Sequence, residues 1–164
     1  MHRKENRCRF IVDAMLGDVS KKLRLLGYDS EYHSDIDDDK IIDIARNEKR
    51  LIISKDKELI RRTKIIGIES ILITNGNKTE EFLEIIKQIR LDVSQINGST
   101  ARCPKCNSET KLVEKNSVKD NVPQGVFHAN EKFWKCDLCT KIYWEGTHIR
   151  KLQEFVSDIN ERLQ

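Results

Sequence analysis

Two sets of side chains in this sequence have the type and spacing for chemistry. The first is a pair of C-x-x-C motifs, Cys103-Pro104-Lys105-Cys106 and Cys136-Asp137-Leu138-Cys139, with 29 residues between them. A tight knuckle of this kind aims two thiolates at one ion, and two knuckles supply the four soft ligands of tetrahedral zinc. Such a site is closed. It leaves no position for substrate, so reactive groups are expected ahead of it in the chain. The second set is acidic: Asp13, the run Asp35, Asp37, Asp38 and Asp39, and Asp56. Carboxylates that converge repel one another unless a cation lies between them. Hard oxygen donors suit Mg²⁺ or Mn²⁺ rather than zinc. Such an ion can activate water and stabilise charge on a phosphate.

The elements that must position these groups can be read from periodicity. Arg9-Phe10-Ile11-Val12-Asp13 reads as a buried strand, and a helix then opens at Leu16-Gly17 and ends at Gly27. Tyr28 to His33 is a weaker strand. The aspartate run opens a second helix carrying Ile41, Ile42, Ile44 and Ala45. Leu51 to Ser54 is a third strand, followed by a helix from Asp56 to Arg62, and Ser70 to Ile73 is a fourth. Asn77 caps a helix with an apolar stripe of Phe82, Ile85, Ile86 and Ile89. Strands alternating with helices predict an α/β fold with a parallel sheet covered on both faces. Asp13, the aspartate run and Asp56 then share the carboxyl end of that sheet, where open α/β sheets bind ligands. Asp56 also reads as a helix cap, and most of the run reads as caps or first-turn dipole partners. Asp13 is costly at the end of an apolar strand without a partner.

Composition narrows the alternatives. The 164 residues carry 30 basic and 27 acidic side chains, and neither half of the chain is strongly basic. Nucleic-acid binding must therefore be argued from sites, not from net charge. No apolar run approaches the roughly 18 residues of a membrane span. The basic start, residues 1–7, is not followed by a secretory apolar stretch, so a cytoplasmic location is expected, and that favours zinc over the alternatives for the cysteine pairs, two disulfides or a redox dithiol. Cys8 is the odd fifth thiol and reads as inert. Five aromatic residues, Phe127, Phe133, Trp134, Tyr143 and Trp144, fall around the cysteine pairs. Packing against the knuckles is the expected role for most of them; stacking on unpaired bases is the alternative. His148 reads either as a structural hydrogen bonder or as an RNA contact.

Longer stretches resemble one known family. Phe10-Ile11-Val12-Asp13-Ala14-Met15-Leu16-Gly17, Leu23-Arg24-Leu25-Leu26-Gly27-Tyr28-Asp29, Asp38-Asp39-Lys40-Ile41-Ile42-Asp43-Ile44-Ala45 and Arg50-Leu51-Ile52-Ile53-Ser54-Lys55-Asp56 are similar to segments of the Mut-seven C-terminal RNase family. That family joins a PIN-like nuclease domain to a zinc ribbon. The ribbon is matched by Arg102-Cys103-Pro104-Lys105-Cys106-Asn107, by Val122-Pro123, and by Cys136-Asp137-Leu138-Cys139 with Tyr143-Trp144-Glu145-Gly146-Thr147-His148. The resemblance runs from about residue 9 to residue 152. It implies a three-layer α/β/α PIN-like domain with a mainly parallel sheet, a small four-cysteine zinc ribbon and a C-terminal helix. It also implies a metal-dependent ribonuclease with Asp13, Asp38 and Asp56 as catalytic metal ligands and RNA as partner. Alignment to Ala45 selects Asp38 from the run, and Arg24 and Lys55 become the expected substrate contacts. The family favours Thr-Arg-Asp where this chain has Ser54-Lys55-Asp56. PIN nucleases often add a fourth acid after the next strand, where this chain has Ile73-Thr74-Asn75. A non-catalytic RNA- or ribosome-binding module that keeps the fold is the alternative. The expected divisions are 8–98 for the α/β domain, 101–148 for the ribbon and 149–164 for an amphipathic helix that docks on the α/β domain.

Overall fold

The computed structural model describes residues 7–93 and 96–164, with His148 described by its backbone alone. The expectation for the His148 side chain lies outside what is described. Contacts group the chain into two compact units. The first holds residues up to Leu23 and Tyr28–Asp92, and the second holds Arg24–Gly27 and Val93–Gln164.

The first unit is built on four parallel strands: β1 (Phe10–Val12), β2 (Ser30–Tyr32), β3 (Leu51–Ser54) and β4 (Ser70–Leu72), in the order β2-β1-β3-β4. β1 and β3 lie in the middle and all seven of their residues are buried. That is the pattern of strands covered on both faces. Ile11 pairs with Ile52 and joins Ile41, Ile42, Ala45, Leu59 and Ile60 in one core cluster. Helices α2 (Asp38–Glu48) and α3 (Lys57–Ile65) therefore cover that face. Strand side chains alternate, so Phe10, Val12 and Ile53 turn to the other face. Two helices with buried apolar stripes remain for it: α1 (Gly17–Leu25), with Val19 and Leu23, and α4 (Lys78–Ile89), with Phe82, Ile85 and Ile86. Right-handed crossovers require the same placement of the first three helices, because β1 to β2 runs one way along the sheet while β2 to β3 and β3 to β4 run the other.

Local sequence accounts for the helix ends. Gly27 adopts φ 90°, and the Tyr28 N–H bonds back to the Leu23 carbonyl (2.9 Å). A positive φ of this size is open chiefly to glycine. Asn77 Oδ1 accepts from the Thr79 and Glu80 N–H groups at the start of α4. Opposite the aspartates, at the amino end of the sheet, Arg50 is buried. It donates to Asp29, Glu48 and the Phe10 carbonyl.

The second unit carries a three-stranded antiparallel sheet, β5 (Thr110–Val113), β6 (Phe133–Cys136) and β7 (Ile142–Tyr143), with β6 central. A short helix, α5 (Gln124–Ala129), precedes β6, and the chain ends in α6 (Thr147–Leu163). Val156 and Ile159 of α6 are buried, Gln153 donates to the Ile96 carbonyl (3.0 Å), and Asn160 donates to the Val93 carbonyl (3.3 Å). These contacts hold the helix to the segment that opens its own unit. No helix among the described residues is long and apolar enough to cross a membrane.

Candidate active site and metal centre

The sheet order reverses between β1 and β3. The chain leaves β1 toward β2 and leaves β3 toward β4, so the two following connections diverge at the carboxyl ends. Ligands of open α/β sheets bind at such a switch point. Asp13 follows β1 directly and Asp56 follows β3 by one residue. The Asp13 N–H extends the ladder by bonding to the Ile53 carbonyl (3.0 Å). A single 3₁₀ turn, Ala14–Leu16, follows it. Tyr32 Oη pins that turn by donating to the Ala14 carbonyl (2.9 Å), and Gly17 leaves room for the ring: a Cβ there would come within 3.0 Å of the phenol oxygen.

Ser54 ties the two strand ends together. It is fully buried, its hydroxyl donates to Asp13 Oδ2 (2.7 Å), and its oxygen accepts the Asp56 N–H (2.9 Å). Asp56 Oδ1 caps α3, accepting from the Glu58 N–H (2.8 Å) and the Leu59 N–H (3.2 Å). This leaves one oxygen of each carboxylate, Oδ1 of Asp13 and Oδ2 of Asp56, outside these bonds. Within the aspartate run the roles separate. Asp37 is the N-cap of α2 and accepts from the Lys40 N–H (2.9 Å). Asp39 pairs with Arg62. Asp38 is the one whose ionisation the other two acids resist: its carboxyl is raised above the usual range by burial first and then by the charges of Asp56 and Asp13. Arg62, 3.8 Å from the Asp38 carboxylate, offsets part of this.

The two expected substrate contacts stand differently. Lys55 pairs with Glu81, an acid buried in the first turns of α4. Arg24 is only 5% exposed, and its guanidinium donates to the carbonyls of Pro104 (2.9 Å) and Lys105 (3.4 Å) in the first cysteine knuckle. That is a buried bracing position, not an open phosphate contact, and it corrects the expectation for Arg24. Ser54 and Glu81 are the polar groups that sequence reasoning passed over. The Ser-Lys-Asp triplet pointed to Ser54, but nothing local signals Glu81, which sits among the apolar residues of a helix.

The cysteine pairs form two matching knuckles. In the first, Asn107 N–H bonds to the Cys103 carbonyl (2.8 Å) and Cys103 N–H to the Ser108 carbonyl (2.8 Å); in the second, Thr140 N–H bonds to Cys136 (3.1 Å) and Cys136 N–H to Lys141 (2.9 Å). Asn107 and Thr140, each just after a second cysteine, are both left-handed, with φ 67° and 62°. All four sulfurs lie within 4.8 Å of one another, with Cys103 to Cys139 at 3.7 Å and Cys106 to Cys136 at 3.4 Å. Ligands at about 2.3 Å in a tetrahedron stand about 3.8 Å apart, so the donor set suits zinc in both chemistry and spacing. Among the described residues, no second group of three or more His, Cys, Asp or Glu comes together this closely. Burial opposes ionisation of Cys103, yet hydrogen bonds from Tyr143 Oη (3.0 Å) and the knuckle N–H groups lower its pKa to about 7. Cys106 is pushed up to about 12 by burial and by sharing protons with the other sulfurs. Such a cluster keeps protons between its sulfurs unless a cation replaces them.

The family profile described as Mut7-C RNAse domain matches residues 8–156. No curated protein and no solved structure matches the chain.

Proposed function

The chain belongs to the Mut7-C RNAse domain family, and from that premise we propose that it is a metal-dependent ribonuclease acting at the β1/β3 crevice. The observation that carries the reading is the placing of Asp13 and Asp56 after β1 and β3, bridged by Ser54, with Asp38 near enough to feel their charges. A cation drawing these carboxylates together would relieve the repulsion felt at Asp38, which favours a cation there over other ligands. A bound Mg²⁺ or Mn²⁺ would supply an activated water and neutralise charge on the phosphodiester. Ser54 holds Asp13 and the Asp56 backbone in one arrangement. Asp56 presents its second oxygen while capping α3. Arg62 and Lys55 stand close enough in the fold to meet RNA phosphates, though each now shares its charge with an acid. The four cysteines would hold one structural zinc.

Cleavage of single-stranded RNA should require Mn²⁺ or Mg²⁺ and stop with EDTA. Asp13→Asn should lower the rate by more than about 100-fold, because altering even an outer-shell partner of a metal costs about 10- to 100-fold. RNA binding should survive that change, since it rests on contacts to phosphate. Wild-type protein that binds RNA and cleaves none in either metal would turn the reading toward a binding module.

A further inference from the structure

The second unit contains a cavity of about 440 Å³ that the acidic site does not use. This lies within the roughly 300–1,000 Å³ of small-ligand sites. Three aromatic rings line it, Trp134, Tyr143 and Trp144, together with the cationic Arg102 and Lys141 and one acid, Glu145, which accepts from the Gly98 N–H (3.3 Å). Trp134 and Trp144 are the only tryptophans in the chain. Trp134 is 4% exposed, and its buried indole N–H has no hydrogen-bond partner among the described residues. A buried donor without an acceptor is costly and uncommon in native proteins. Two glycines in the lining serve the rings. A Cβ on Gly98 would lie 2.1 Å from the Trp134 ring, and one on Gly146 would lie 2.9 Å from Trp144 Nε1. The backbone therefore packs directly against both indoles, and only glycine fits at these two positions without displacing the rings.

We propose that this cavity binds one unpaired base of an RNA strand. A base brings a π-face to stack on the aromatic wall at the half-buried Trp144, and its phosphates meet Lys141 and Arg102. The Lys141 ammonium lies 5.7 Å from the Tyr143 ring centroid, at the aromatic wall. A duplex hides its bases in the stack and would not enter. The inference rests on the ribonuclease reading only in taking RNA as the occupant. It gives the zinc unit a part in selecting unpaired segments.

The two tryptophans make the test direct. The 164-residue chain carrying Asp13→Asn, with zinc and without added Mg²⁺ or Mn²⁺, is titrated with a single-stranded RNA and with a duplex of the same length while tryptophan emission is read. The single strand should quench emission and the duplex should not. Trp144→Ala should weaken single-strand affinity about 5- to 150-fold, the range expected for loss of one base stack. Trp144→Phe should restore most of it. Thr147→Phe, which adds a ring at an exposed residue of the lining, should weaken binding without removing an aromatic wall. Retained zinc content certifies each variant as folded. Equal quenching by duplex and single strand, or unchanged affinity in zinc-loaded Trp144→Ala and Thr147→Phe proteins, would overturn the proposal. Cleavage by the wild type in Mn²⁺ is scored separately. Loss of quenching beside intact cleavage counts against the cavity alone, and quenching without cleavage counts against the nuclease alone.

Discussion

At the scale of single residues, Ser54 and Asp38 set the character of the acidic site. Ser54 spends its hydroxyl on Asp13 and accepts from Asp56, so one buried oxygen fixes two strand ends. Ser54→Ala should cost about 1–3 kcal/mol of stability by leaving these partners unsatisfied. It should also cut cleavage about 10- to 100-fold, as loss of an outer-shell partner does. Denaturant melts and initial rates measure the two effects; a loss of stability with unchanged cleavage would remove Ser54 from the site. Asp38 makes a prediction in pH. Its folded-state pKa is raised, so its favourable contribution is complete below the ordinary carboxylate value of about 3.9 and is lost as pH rises through the raised value. At neutral pH the ionised group thus works against the fold. Asp38→Asn should raise the melting temperature at pH 7 in metal-free buffer, and the gain should vanish toward pH 3. Asp38 is 39% exposed, so solvent screens the effect and only its direction is predicted. Added Mn²⁺ should stabilise the wild type more than the variant. A gain of the same size at both pH values would mean that repulsion among the aspartates is not its source.

At the scale of elements, Asp56 has two duties that substitution can separate. As N-cap of α3 it accepts two backbone N–H groups through one oxygen. As a member of the acidic group it offers charge. Asp56→Asn keeps an acceptor at the cap and should cost only a few tenths of a kcal/mol, whereas Asp56→Ala should cost about 1 kcal/mol. Both should abolish cleavage alike. A thermal melt of each variant beside its activity checks this, and activity in Asp56→Asn would assign the residue to the cap alone. The strap at the amino end of the sheet is likewise an element-level device. Arg50 is buried between Asp29, Glu48 and the Phe10 carbonyl, so Arg50→Leu removes the buried cation and leaves both acids to the exposed Arg9. It should destabilise the first unit by roughly 2–4 kcal/mol, since breaking a buried pair costs more than the pair contributes. The acidic site, at the other end of the strands, should keep its metal requirement.

At the scale of the whole molecule, the two units rest on different physics. The first buries a parallel sheet between helices and has an apolar core of its own. The second has short strands, and its four sulfurs stand at the spacing of one tetrahedral ion. Small domains of this kind draw folding free energy from the metal itself. Stripping zinc with a strong thiol-competing chelator, or making Cys136→Ser, should therefore unfold the antiparallel sheet while the parallel sheet persists. Amide dispersion by NMR would follow both at once: resonances of β5–β7 should collapse and those of β1–β4 should hold. A single cooperative loss of both sets would show that the first unit does not stand without the second.

How much of this was legible in the sequence depends on how local each signal is. The C-x-x-C pairs, the alternation of strands and helices, and the placing of Asp13 and Asp56 after apolar strands were all readable, because each is a pattern within a few residues. The choice of Asp38 rested only on alignment to Ala45 in a resembling family and stays a proposal; the separate bonds of Asp37 and Asp39 came from cap and ion-pair geometry. Arg24 was misplaced because a basic residue on an amphipathic helix looks exposed until its partners are known, and its partners are carbonyls some 80 residues away. Glu81 was missed for the same reason: the lysine it meets is 26 residues distant. The order β2-β1-β3-β4, which puts the switch point between the two aspartate-bearing strands, is a matter of pairing between distant segments, as is the gathering of both tryptophans around one cavity. The sequence by itself determined which residue types are available for chemistry and on which elements they lie. Only the tertiary structure decided which groups share a field, which are spent on bracing, and where space remains for a ligand.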